Sequence, residues 1–292
     1  MRRYTDRHEP LALAALFAGA CIVASSGIFV RLSETGPTAT GFWRGALALP
    51  FLAVWARAEV RPGPTSWRTG LWDVRIFWAG VFFAGDLALW HWSLILTSVT
   101  AATLEANLSP IFVTLIAWIV WRERPKARFV AALAIAIFGV ILVVSPKLGQ
   151  VRGALVGDLL GLGTACFYGA YMIVVARLGT TYGTGTLMLR TTAIFTVLLA
   201  PLMIGQKIFP DTLHGWMLLA GLALIAQVLG QGLIAYALAY LPASFSSLGL
   251  LVQPLAAAVY AAWILDERLT VVQFAGGAIV LTAIVLANRA RR

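Results

Sequence analysis

Long apolar runs separated by short polar breaks fill this chain. A membrane-crossing helix needs about 20 mostly apolar residues, and ten segments meet that requirement: 11–31, 38–56, 74–96, 99–121, 128–145, 154–176, 185–205, 213–239, 244–264 and 270–288. The joints near Thr97 and near Leu241–Pro242 are very tight, and most of the others are short turns. The stretch from Arg57 to Asp73 is the longest connector and is rich in Pro, Gly and Arg. The pattern predicts an all-α membrane protein of ten transmembrane helices with no separate soluble domain. The N-terminal MRRYTDRHEP resembles the basic region of a signal peptide. The apolar run behind it lacks a small-x-small cleavage site and extends to about Leu32, so it reads as the first membrane helix.

The basic residues orient these spans. With the N-terminus in the cytoplasm, the inner segments hold 15 Lys and Arg and the outer segments hold 5, with Arg44 and Arg190 left inside spans. That asymmetry follows the positive-inside rule. It places both termini in the cytoplasm, which an even number of helices allows.

The two halves repeat at an offset of about 145 residues, dividing the chain into 1–146 and 147–292. Leu108-Ser109-Pro110 in the fourth span meets Val252-Gln253-Pro254 in the ninth, and Glu123-Arg124 meets Glu267-Arg268. Val30-Arg31-Leu32 matches Ala176-Arg177-Leu178, Arg44 matches Arg190, and Ala20-Cys21 matches Ala165-Cys166. A unit of five spans is odd, so the second copy inserts upside down relative to the first. Inverted repeats are a recurrent transporter architecture, because two such halves have two equivalent packings that open a site to opposite sides.

Composition sharpens the class. Hydrophobic residues make up 60% of the chain and charged residues 12%, about half the charge of an average soluble domain. The 11 Trp suit membrane–water boundaries. The net charge of +10 and pI near 10.3 come from bases at the ends of apolar runs rather than on one face. Such bases are topology signals beside anionic lipid and not a nucleic-acid module. Cys21 and Cys166 are isolated in apolar stretches and form no metal pattern. No cofactor or metal is expected. The expected partners are a small-molecule substrate and membrane lipid, with no nucleic acid, in a monomer or homodimer.

The Pro-centred helix followed by W-R-E-R in one half and Q-P…L-D-E-R in the other resembles the EamA repeat, as does TSVTAATLEANLSP paired with YLPASFSSLGLLVQP. The likeness covers nearly the whole chain. EamA repeats occur twice in ten-helix members of the drug/metabolite transporter superfamily, and the length and layout here are similar to YddG-like amino-acid exporters. The resemblance implies a bacterial inner-membrane, multi-pass carrier. Its central cavity would lie between spans 3, 4, 8 and 9 and their neighbours 1, 2, 6 and 7, with spans 5 and 10 at the periphery.

Ionisable groups inside hydrocarbon are costly and mark function. Asp86 sits near the middle of the third span with Trp90 one turn later on the same face. An acid beside an aromatic plate suits an ammonium group; the alternative is a buried Asp that hydrogen-bonds neighbouring helices. His91 points about 100° further round and is either a proton relay or an interhelical hydrogen-bonding group. Glu105 and Asn107 lie near the outer end of the fourth span, before Pro110, and Gln253 lies beside the matching Pro254. Paired Pro-interrupted helices at repeat-related positions point to a site and to hinges. Arg44 and Arg190 suit a carboxylate or an acidic partner, or else snorkel. Trp43, Tyr168, Tyr171, Gln227, Gln231 and Tyr236 add amphipathic surface for an organic substrate.

Other charges have local explanations. Asp73 and Asp158 stand at helix starts, where the dipole favours them. The two Glu-Arg pairs stand at helix ends, and Gly157 with Gly161 permits close helix contact. There is no Walker loop, HExxH or G-x-S-x-G motif. The expected activity is export of small organic solutes, with amino acids or related metabolites favoured over drugs or other proton-coupled cargo. An intramembrane enzyme or a receptor is the remaining alternative.

Overall fold

The computed structural model describes residues 2–59, 73–96, 102, 105–145, 155–264 and 270–291. The Pro/Gly/Arg-rich part of the long connector, the joint near Thr97, Lys147, Arg152 and the Glu267-Arg268 pair lie outside the described residues. Within them the fold is helical throughout. In chain order the helices are α1 (Arg2–Ala24), α2 (Ser26–Leu32), α3 (Pro37–Ala46), α4 (Leu49–Ala58), α5 (Val74–Leu96), α6 (Ser109–Trp121), α7 (Ala127–Val144) and α8 (Leu155–Leu178). They continue with α9 (Thr184–Leu199), α10 (Leu213–Gly221), α11 (Gly232–Leu238), α12 (Ala243–Gly249), α13 (Val252–Ile264) and α14 (Val271–Arg291). A 3-10 turn at Ala200–Met203 extends α9, and a π-helical stretch, Leu222–Gln231, joins α10 to α11.

Among the described residues, seven helical rods are long and apolar enough to cross a membrane: His8–Leu32, Val74–Leu96, Leu155–Leu178, Thr184–Met203, Leu213–Leu238, Ala243–Tyr260 and Val271–Arg289. Ser109–Val120 and Ala127–Val143 are shorter apolar helices. Trp78, Trp118, Phe138, Val197 and Phe274 lie exposed on these rods. A soluble protein would bury such residues; a lipid-facing surface does not need to. The chain is therefore an integral, multi-pass membrane protein.

Several rods are broken rather than continuous. The first breaks at Ser25, whose hydroxyl donates to Ile22 O at 2.7 Å. The segment after it breaks between α3 and α4, where Leu47 and Ala48 bond back to Trp43 O and Gly45 O. Pro110 falls in the first turn of α6, just after Asn107 and Leu108 turn out of the helix. Pro254 falls in the first turn of α13, after Leu250 and Leu251 break from α12. Both prolines thus sit where a helix restarts and no intrahelical N–H is needed.

Direction can be read from contacts. At one end of the α3–α4 rod, Thr38 N donates to Gln206 Oε1 at 3.0 Å. At its other end, Glu59 accepts from Gly185 N and Thr186 N at 3.3 Å each. The α3–α4 rod and α9 therefore run antiparallel. In α7 and α14, Gly139 lies against Gly276 and Val280, while Gln273 Nε2 donates to Val143 O at 3.2 Å. They too run antiparallel. α7 packs chiefly on α14, and this pair meets the rest of the bundle mainly through α12 and α13. α5 packs along α8, and α1 along the π stretch and α11.

Candidate functional site

A polar layer crosses the middle of the bundle, and each member comes from an otherwise apolar helix. Arg44 reaches it because Gly41 and Gly45 keep one face of α3 thin: a Cβ at Gly41 would sit 3.2 Å from His91, and one at Gly45 would sit 2.0 Å from Thr196. Arg44 is 3% exposed. Its Nε donates to Gln227 Oε1 at 2.9 Å, and its guanidinium carbon stands 5.8 Å from the centre of the Phe83 ring. Gln227 Nε2 donates in turn to Thr192 Oγ1 at 3.1 Å. A buried cation is tolerated only with such partners.

Asp86 faces the same layer at 8% exposure. Its carboxylate lies within electrostatic reach of Arg44, Tyr168 and Tyr171, yet among the described residues no contact within 4.0 Å closes Asp86 and Arg44 into an ion pair. Tyr168 donates to Gln231 Oε1 at 3.4 Å. Tyr171 stacks on Phe83, with ring centres 4.5 Å apart, and points its hydroxyl at Met188 Sδ 3.9 Å away. Arg44, Phe83 and Asp86 come from the first half; Tyr168, Tyr171, Thr192, Gln227 and Gln231 come from the second.

His91 lies further along α5. Its Nδ1–H donates to Leu87 O at 2.6 Å, and its Nε2 is buried with no partner among the described residues. Trp90 stands edge-on to it, ring centres 5.2 Å apart, and is half-buried. Beside His91 opens a pocket of about 230 Å³ lined by Gly27, Val30, Arg31, Thr35, Pro37, Thr40, Leu94 and Ile95.

The other predicted residues fall outside this layer. Glu105 is pressed onto Gly161, where a Cβ would stand 1.9 Å from its Oε2. Asp158 stands near it, and Glu105 Oε2 is buried with no hydrogen-bond partner among the described residues. Gly161 thus admits a carboxyl group as well as a neighbouring helix, and Asp158, placed in the sequence by its helix start alone, has a second role. Asn107 and Gln253 are half-buried at the two helix restarts. Tyr236 pairs with Tyr240, ring centres 5.0 Å apart. Trp43 turns to the loop after α9: its indole donates to Ile208 O at 2.8 Å and meets Trp216 edge-on. Arg190, the repeat partner of Arg44, stacks over Tyr182 at 5.7 Å instead of entering the layer.

Thr192 and Phe83 were missed in the sequence. Thr192 belongs to a span with five threonines, Thr184, Thr186, Thr191, Thr192 and Thr196, and that excess of hydroxyls was a usable signal. Phe83 precedes Asp86 by three residues on the same helical face. The π stretch carrying Gln227 and Gln231 had no sequence signal; such i→i+5 turns concentrate at functional sites.

The bundle is tied at both ends across the halves. Glu34 accepts from Asp211 N at 2.8 Å, from Thr212 N at 3.1 Å and from the Thr212 hydroxyl, and these bonds hold its carboxyl below the usual range. Gly36 N donates to Lys207 O at 2.8 Å. At the opposite end, Asp73 accepts from Arg75 Nη2 at 2.7 Å and from Tyr182 OH at 2.9 Å. Chiefly the Arg75 side chain holds the Asp73 carboxyl down to about 2.

A family model for the EamA-like transporter family matches the chain twice, over residues 10–145 and 155–289. The chain belongs to the EamA-like transporter family. Both matches agree with the repeat read from Pro110 and Pro254. One solved structure, described only as "Crystal structure of protein", is similar in fold at a TM-score of 0.79 and 14% identity, covering 97% of this chain and 98% of that one. A search of curated proteins finds no match. Family and fold together make this EamA-like chain a membrane transporter of small solutes.

Proposed function

We propose that this EamA-like protein exports small zwitterionic metabolites, amino acids foremost, across the bacterial inner membrane by alternating access. The observation that carries the reading is the pair Arg44 and Asp86. A basic and an acidic side chain face one buried layer without joining each other. A zwitterion would suit both groups once the layer opens, its carboxylate on Arg44 and its ammonium on Asp86, with Phe83, Tyr168 and Tyr171 supplying apolar and aromatic walls. Both halves build the layer, so relative motion of the halves would open it to one side and then the other.

The antiparallel course of α3–α4 with α9, and of α7 with α14, supports ten spans in two inverted five-helix repeats. Charge asymmetry supports cytoplasmic termini. We read the working unit as a monomer or homodimer with Pro110 and Pro254 at the points of flexure. Uptake of labelled amino acids into proteoliposomes, compared between wild type, Arg44→Gln and Asp86→Asn, tests the assignment. Both variants should lose transport while inserting normally; unchanged kinetics in both would remove the layer from the transport route.

A second reading has an observation of its own. Glu105 and Asp158 bring two carboxyl groups close together, and Glu105 Oε2 is buried with no hydrogen-bond partner among the described residues; neighbouring carboxyl groups in such a place favour holding a proton. Export of drugs or metabolites in exchange for protons would use that proton. Transport that follows an imposed pH gradient in wild type and loses that dependence in Glu105→Gln would support it.

A further inference from the structure

We infer that the ties at the two ends of the bundle are the carrier's two gates, one copy of a single latch at each end. Releasing the Glu59 latch opens the buried layer from one side, and releasing the Gln206 latch opens it from the other. The inference rests on the carrier reading for the alternation alone; the latches themselves rest on hydrogen bonds and glycine positions.

Two helices share one deficiency. α3 begins on Gly36 and α9 on Gly183, each with extended backbone: φ −61° and ψ 161° in the first, φ −65° and ψ 149° in the second. Glycine has no side chain to cap the first amides of a helix, which must then find an acceptor elsewhere. In both cases the opposite half supplies it. Gln206 Oε1 accepts from Thr38 N at 3.0 Å, and Glu59 accepts from Gly185 N and Thr186 N at 3.3 Å each. Thr38 and Gly185 are both the second residue of their helix. A Cβ at Gly36 would overlap the Gln206 side chain, and one at Gly183 would overlap that of Glu59. Gly36 and Gly183, Thr38 and Gly185, and Glu59 and Gln206 share one offset of 147 residues. The two ties are therefore copies of one contact, set at opposite ends of the bundle. They differ where their partners differ. Gln206 Nε2 also donates to the Thr38 hydroxyl at 3.0 Å, a bond Glu59 cannot copy, since Gly185 carries no hydroxyl.

A second contact repeats in the same way. Thr212 and Asp73 stand just before α10 and α5. Thr212 donates its hydroxyl to Glu34, and Tyr182 donates its hydroxyl to Asp73 at 2.9 Å. Acid and hydroxyl have exchanged halves, and the tie is kept at both ends. Each latched helix also carries a member of the buried layer. Arg44 lies in α3 and Thr192 in α9, each six residues beyond a capped amide, that of Thr38 or of Thr186. With both latches shut, Arg44 is 3% and Asp86 8% exposed, so the layer is closed to both sides. A carrier must open one end while the other stays shut. A helix start that only the opposite half can cap is a contact that relative motion of the halves breaks and remakes.

The test is one-sided thiol accessibility in the full-length protein. Cys21 and Cys166 are replaced by Ser, and Thr192→Cys supplies a single thiol in the buried layer. Right-side-out and inverted membrane vesicles are then treated with a membrane-impermeant maleimide. Glu59→Ala should speed labelling about fivefold from one side, the usual worth of a helix cap, and Gln206→Ala about fivefold from the opposite side. Gly183→Ala and Gly36→Ala displace the same two side chains without removing them, so they should act as Glu59→Ala and Gln206→Ala do. They keep the result readable if a latch variant fails to fold. Glu59→Gln, which installs the side chain of the other latch, should recover most of the closure. Labelling that rises from the same side in both latch variants, or from neither side, overturns the gates. Amino-acid transport by wild type in proteoliposomes, with labelling indifferent to Glu59 and Gln206, sinks the gates and leaves the transport reading standing. Opposite-sided labelling with no amino acid transported does the reverse.

Discussion

Replacing Gly45 with Ala tests how closely the two halves meet. The added Cβ would lie 2.0 Å from Thr196 Oγ1 and 2.6 and 2.9 Å from two carbons of the Phe195 ring. Carbon contacts are comfortable at about 3.5–4.0 Å, so α3 and α9 must separate by on the order of 1 Å or the two side chains must turn away. Neither side chain is free to turn. Thr196 Oγ1 donates to Thr192 O at 2.7 Å, and Phe195 is fully buried with its edge on Phe83, ring centres 5.2 Å apart. Overpacking of this kind costs about 1–3 kcal/mol. At about 2–4 °C per kcal/mol that is a fall of roughly 2–12 °C in transition temperature. Membrane proteins often unfold irreversibly, so variant and wild type must be compared at one scan rate in one detergent. Adding Thr196→Ala should restore part of the loss by removing the 2.0 Å contact while leaving those to Phe195. A Gly45→Ala protein as stable as wild type, or a double variant less stable than the single, would show that the α3–α9 contact is not as described.

Further outcomes follow from the same geometry. Gly161→Ala places a methyl where Glu105 Oε2 lies; it should displace Glu105 and reduce transport in proteoliposomes while membrane insertion, read by expression in the membrane fraction, stays normal. Trp90→Ala should raise KM for a zwitterionic substrate more than it lowers kcat, since the ring lies one helical turn from Asp86 and outside the Arg44–Asp86 layer. Asp73 has a folded value of about 2 against an ordinary 3.8. A depressed carboxyl contributes stability that is complete above its unfolded value and lost as pH falls through the folded one. Asp73→Asn should therefore lower the transition temperature at neutral pH, and the gap to wild type should close as pH drops from about 4 towards 2.

Legibility in the sequence divided along physical lines. Segment positions were readable because apolar length is a local property: the run ending near Leu96 is α5, and the run from Leu155 is α8. Arg44, Asp86, Gln227 and Gln231 were readable as site candidates because each is a polar group inside an apolar run, and the structure brings them to one layer. Partner choice was not readable. Arg44 and Arg190 occupy matched positions, yet one enters the layer and the other stacks on Tyr182, because the groups facing them come from different helices. Trp43 neighbours Arg44 in sequence but points about 100° away, towards Ile208 in the loop after α9 and Trp216 in α10. Asp158 looked like a helix-start residue, and the fold, not the local sequence, brings Glu105 to it over Gly161. The π stretch depends on how α10 and α11 are held by α1 and α3, which no local pattern encodes.

An inverted repeat requires matching points of the two halves to face opposite sides of the membrane, and labelling from one side at a time tests it. In a chain with Cys21 and Cys166 replaced by Ser, a single cysteine is placed either at Thr35 or at its repeat-related position Thr181, and cells are treated with a membrane-impermeant maleimide before or after permeabilisation. Thr35→Cys should react in intact cells, and Thr181→Cys only once the inner membrane is opened. Reaction of both positions from the same side would contradict the inverted arrangement and the carrier mechanism built on it.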